Sequence, residues 1–169
     1  MNLKKSLLAL VLLVFVGFAA KAQEKPSPAR TAEGMVGDAK ITINYSSPAV
    51  KGRMIWGDLV PFNEVWRAGA NEATTFTTTE DIMVQGEKLP AGTYGFFIIP
   101  SETGQSTFIF NKVAKQWGAF NYDSKEDVLR VSVPSGESPT MEERLVYEVK
   151  PDSFQIRWEY GQATATLSN

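Results

Sequence analysis

Apolar and polar positions alternate with a period of two through most of the chain. In "KITINY", Ile41, Ile43 and Tyr45 alternate with Lys40, Thr42 and Asn44, which marks a strand with one buried face. Gly37-Asp38 before it predicts a two-residue hairpin turn from a strand through Glu33 to Val36. Further short strands are expected at Glu64 to Ala68, Ala73 to Thr79, Asp81 to Val84, Thr93 to Ile99, Thr107 to Asn111 and Val128 to Val133. Three more are expected at Glu143 to Val149, Phe154 to Tyr160 and Ala163 to Leu167. Turn residues punctuate them at Gln85-Gly86-Glu87, Pro90-Ala91-Gly92, Ser101 to Gln105, Pro134 to Pro139, Pro151-Asp152 and Gly161-Gln162.

Beyond the N-terminal apolar run, no window of a dozen residues keeps a helical period. The pattern therefore predicts an all-β domain, an antiparallel β-sandwich of jelly-roll type with roughly eight to ten short strands. The last strands read as a meander with one wet face: Phe154, Ile156 and Trp158 alternate with Gln155, Arg157 and Glu159. "YGFFIIP" (94–100) is apolar on both faces, as a central strand of a two-layer structure requires, and Pro100 ends it because proline cannot donate to a ladder.

The N-terminus is patterned differently. Lys4 and Lys5 precede an apolar run from Leu7 to Phe18, and small residues follow at Ala19, Ala20 and Ala22. This is the pattern of a secretory signal peptide over 1–22, too short for a membrane span. The polar, proline-bearing "QEKPSPAR" (23–30) reads as a tether, and 31–169 as one domain. The expected product is exported, periplasmic or fully secreted, with no membrane span.

Removing Lys4, Lys5 and Lys21 from the 17 basic residues leaves 14 against 19 acidic ones, a net charge of −5. That balance argues against a nucleic-acid partner and against an anionic membrane surface. Cysteine and histidine are both absent. Stability must then come from burial rather than disulfides. Histidine-based nucleophilic triads and His-ligated metal sites are excluded too. No cofactor or metal is expected; "YDSKED" (122–127) lacks the spacing and glycine of a calcium loop and reads as a solvated turn.

Four segments are unlike sandwich filler: "SPAVKGRMIWGDLVPF" (47–62), "VWRAGANEATTF" (65–76), "LPAGTYGFFIIP" (89–100) and "NKVAKQWGAFNYD" (111–123). Long connections in compact domains commonly carry function. In a strand through Val65 to Ala68, Trp66 and Arg67 would point to opposite faces, Trp66 into the core. The plain reading of Arg67 is an ion pair with Glu72, Glu64 or Asp58. That of Gly69 to Ala73 is a bulge, and that of Trp56 and Trp117 is a plug at each end of the sandwich. The functional reading places Arg53, Arg67, Asn71 and Glu72 as directional polar groups and Trp56, Trp117 and Tyr122 as stacking surface, on one face of a cleft.

At these four segments, in this order and spacing, the chain resembles the exported bacterial proteins grouped as domain of unknown function family twenty-nine eleven. The resemblance covers nearly all of the chain after the leader. It implies a β-rich exported domain and brings no activity, substrate or catalytic residue with it. The leading expectation is a non-catalytic module of the bacterial envelope that binds a glycan, a peptide or a small anionic ligand. The alternative is a glycan hydrolase with Glu72 as acid or base and Asp58 or Asp123 as partner, which needs two carboxyls about 5 to 9 Å apart. A structural or assembly protein is the third reading, and a large exposed apolar patch would be its mark.

Overall fold

The computed structural model describes residues 26–169. The expected leader and the first three residues of the expected tether, 23–25, lie outside the described residues. The strands are β1 (Ala29–Val36), β2 (Ala39–Ser46), β3 (Thr74–Thr78), β4 (Ile82–Val84), β5 (Glu87–Leu89) and β6 (Gly92–Ile99). They continue with β7 (Gln105–Asn111), β8 (Asp127–Lys150) and β9 (Ser153–Ser168), and a 3-10 turn at Ser124–Glu126 precedes β8. All nine strands join one open antiparallel sheet in the order β1-β2-β3-β6-β7-β8-β9-β4-β5.

The sheet rolls over on itself and encloses its core between two layers. Phe96 of β6 and Phe154 of β9 lie three lanes apart in the sheet order, yet their ring centroids are 5.6 Å apart. Phe76 of β3 reaches the same Phe154 ring at 5.1 Å, and Tyr45 of β2 meets Tyr147 of β8 at 4.8 Å. Such contacts bring the inner faces of a folded-over sheet against each other, as in a sandwich. The period-two pattern supplies the residues: on β2, Ala39, Ile41, Ile43 and Tyr45 are buried while Lys40 and Asn44 are exposed. The turn at Gly37-Asp38 forms as expected, with Val36 opposite Ala39.

β6 is buried on both sides. Phe96 and Ile98 enter the main core, while Phe97 joins Ala73 and Ile109 in a second cluster covered by Val65, Ala119 and Tyr122. β1 starts at Ala29, paired with Ser46, inside the stretch read as a tether. No helix among the described residues is long and apolar enough to cross a membrane.

Local punctuation misplaces three elements. Pro134 to Pro139 is not a turn: β8 runs through it, 24 residues long. Pro134 is the last residue paired with β7, opposite Gln105, and Ser135 is the first paired with β9, opposite Ala163. A residue without an N–H donor is tolerated where the strand changes partner. Gly161-Gln162 is likewise inside β9 rather than between two strands, in a stretch where Glu159 takes a left-handed φ of 53°. Glu64 to Ala68 forms no strand; Trp66 alone makes a bridge, to Ile98, and Ala68 turns away at φ 55°.

Candidate functional site

Three tryptophans distant in sequence meet at one end of the sandwich. Trp66 is held by paired backbone hydrogen bonds with Ile98, at 2.8 and 2.9 Å. Its ring stacks on Trp158 of β9 with centroids 6.0 Å apart and planes 15° from parallel. Trp56 completes the group edge-on, 5.8 Å from Trp66 and 6.2 Å from Trp158. Its loop is closed by bonds from Val60 N–H to the Ile55 carbonyl (2.8 Å) and from Gly57 N–H to the Val60 carbonyl (2.9 Å). The Trp56 indole donates to the Trp158 carbonyl at 3.2 Å. The Trp158 indole N–H is buried without an acceptor among the described residues, so ring contacts, the Trp66 backbone bonds and the Trp56 indole bond hold the cluster.

Gly161 makes room for this arrangement. A Cβ there would fall inside van der Waals contact of the Trp56 indole, so only glycine lets the ring lie against β9.

A cleft of about 420 Å³ opens over the tryptophans, a size suited to a small ligand or a short segment of a larger one. Trp56, Trp66, Ile98 and Ile156 supply apolar walls, and Phe62 and the 54 % exposed ring of Tyr160 stand at the margin. Glu102, Glu137 and Glu159 also line it. None of these three carboxylates takes part in an ion pair among the described residues, and no lysine or arginine lines the cleft.

Of the seven residues given the functional reading in the sequence, Trp56 alone lines this cleft; Trp66, read as core, lines it too. Arg67, Asn71, Glu72 and Trp117 gather at a second corner. Loop 111–123 is stitched there by Ala73 N–H to the Gln116 carbonyl (2.9 Å) and Gly118 N–H to the Asn71 carbonyl (3.1 Å). Glu72 forms a backbone bridge with Trp117. Asn71, at φ 60°, donates its side-chain amide to Ser46 Oγ at 3.3 Å.

The Arg67 side chain lies beside Gly118, next to the Phe120 ring. Its Nε is buried with no acceptor among the described residues, and burial pulls its pKa below the usual arginine value. No carboxylate pairs with Arg67 among the described residues, so the ion pair with Glu72, Glu64 or Asp58 does not form. Trp117 and Phe120 stand 57 % and 83 % exposed at this corner.

The other two residues are occupied elsewhere. Arg53 donates to the carbonyls of Ala49 (2.6 Å) and Val50 (3.1 Å), tying down its own loop. Tyr122 packs on Phe97 at 5.1 Å, donates to Asp127 Oδ2 at 2.6 Å and accepts from Arg130. Burial first, then the bond to Asp127, pushes its pKa up to about 12. Of the carboxylates weighed as partners for Glu72, Asp58 is exposed in loop 47–62, and Asp123 caps the 3-10 turn by accepting from Lys125 N–H at 2.9 Å.

Sequence reasoning missed Phe62, Glu102, Glu137, Glu159 and Tyr160 as cleft residues. "WEYGQ" (158–162) held a signal for two of them: a second aromatic at i+2 from a core tryptophan, followed by glycine.

No curated protein and no solved structure matches the chain. The family described as "Protein of unknown function (DUF2911)" matches residues 27–167, the whole rolled sheet with both of its aromatic corners, and the chain belongs to that family.

Proposed function

We propose that the protein is an exported, non-catalytic binding module of the bacterial envelope that holds its ligand over Trp56 and Trp66. The observation that carries this reading is the tryptophan-walled cleft of about 420 Å³, built from four separate chain segments and left open to solvent. Aromatic walls with a few polar groups at the margin are the usual make-up of a small-ligand site. The leader pattern around Lys4, Lys5 and the run from Leu7 to Phe18 supports export. Glycans and peptides are the ligand classes, since both offer apolar faces that stack on indoles. An anionic ligand fits the Arg67 corner better than a cleft whose charged lining, among the described residues, is all carboxylate.

The test is a titration of intrinsic tryptophan fluorescence with a panel of neutral oligosaccharides and short peptides. A saturable change is expected, weakened about tenfold in Tyr160→Ala by loss of one stacking surface. Tyr160 is exposed, so that variant keeps its fold. A panel that leaves the emission unchanged removes the support for this reading.

The three carboxylates around one cleft favour a second reading, a glycan hydrolase. It predicts release of reducing ends from an oligosaccharide panel, abolished in Glu137→Gln or Glu159→Gln. Intact oligosaccharides after prolonged incubation dismiss it.

A further inference from the structure

We infer that the cleft is specific for a basic peptide side chain, a lysine or arginine whose stem lies along the tryptophans and whose charge faces Glu102, Glu137 and Glu159. This rests on the binding reading above and narrows it to one ligand. Three features of the wall lead to it. The apolar surfaces of Trp56, Trp66, Ile98 and Ile156 match a hydrocarbon stem. Indole faces attract a cation through the negative face of the ring quadrupole. The charged lining residues all carry one sign and none has a cationic partner among the described residues.

A cleft with low-dielectric walls and charge of one sign focuses its field into the opening. That field concentrates cations and repels anions. Glu159 is half-buried and sits on a left-handed backbone, φ 53°, that a glutamate does not favour. Such local strain is characteristic of positions held for a task. Amino sugars carry the same charge and can stack on an indole, but they lack the unbranched hydrocarbon stem that the four apolar wall residues match.

The experiment titrates the tryptophan emission with end-capped Gly-Lys-Gly and Gly-Arg-Gly. The comparisons are Gly-norleucine-Gly, which keeps the stem without the charge, Gly-Glu-Gly, and free glucosamine. The lysine and arginine peptides are expected to bind at least about tenfold tighter than the norleucine peptide, by an advantage that shrinks as salt is raised. The double substitution Glu137→Gln with Glu159→Gln should erase that advantage at an unchanged melting temperature, since neither carboxylate is ion-paired.

Equal binding of the lysine and norleucine peptides overturns the charge inference and leaves the binding module standing. Tighter binding of glucosamine overturns the peptide as the source. Failure of every probe overturns the inference, and the binding reading falls with it only if the neutral oligosaccharide panel is also silent.

Discussion

Gly161 is the residue on which the cleft's shape turns most directly, because a single added methyl meets the Trp56 ring. Gly161→Ala is expected to cost about 1 to 3 kcal/mol in denaturant unfolding, as overpacking does, and to shift the tryptophan emission as Trp56 moves outward. The tyrosines set the alkaline limit of stability. Tyr147 is buried, donates to the Ala68 carbonyl at 2.8 Å, and burial raises its pKa well above the ordinary value; Tyr122 is raised to about 12. A folded pKa above the unfolded one, about 10, means that the fold holds the proton more tightly. The stabilisation is therefore complete below about pH 10 and is lost as pH climbs toward 12. Melts taken across that range, with tyrosinate absorption followed in parallel, should show a falling Tm that Tyr122→Phe makes shallower.

Among the elements, loop 111–123 hangs on Asn111. That side chain is fully buried at the end of β7. It donates to the Asp123 carbonyl at 3.0 Å and to Asp127 Oδ1 at 2.8 Å, and accepts from Val113 N–H at 3.0 Å. It thus joins both ends of the loop that presents Trp117 and Phe120. Asn111→Leu should cost about 1 to 3 kcal/mol by stranding these partners, and hydrogen exchange should speed up across 112–123 while β6 stays protected. β8 and β9 show where local signals mislead. Prolines and glycines inside them look like turns until the partner strands are known, because a proline at a partner switch and a glycine under a tryptophan are defined by neighbours distant in sequence.

For the molecule as a whole, one continuous cluster runs from Val36 to Leu167 and joins both layers of the rolled sheet. The described domain should unfold in a single cooperative transition, seen as coincident loss of far-ultraviolet dichroism and tryptophan emission. With no cysteine in the chain, reductant should leave that midpoint unchanged. Separate transitions for the two probes would mean that the tryptophan end melts apart from the Phe76, Phe96 and Phe154 centre.

The strand content and the buried faces of β2 and β9 were legible from alternation, since a period of two is a local property of the chain, β6 from its unbroken apolar run and the hairpin from the Gly37-Asp38 turn pair. Trp66 and Arg67 do part, one to the core and the cleft and the other to Gly118, but no strand runs through them, so the alternation expected at Glu64 to Ala68 is not the cause. Tertiary structure decided that Trp56, Trp66 and Trp158 form one cluster, that Arg67 goes without a carboxylate among the described residues, and that Glu102, Glu137 and Glu159 share one opening. Those relations depend on how far the sheet rolls and on where β8 changes partners. Burial of both faces drives that roll, and pairing between strands distant in sequence sets its register, which no short window of residues encodes.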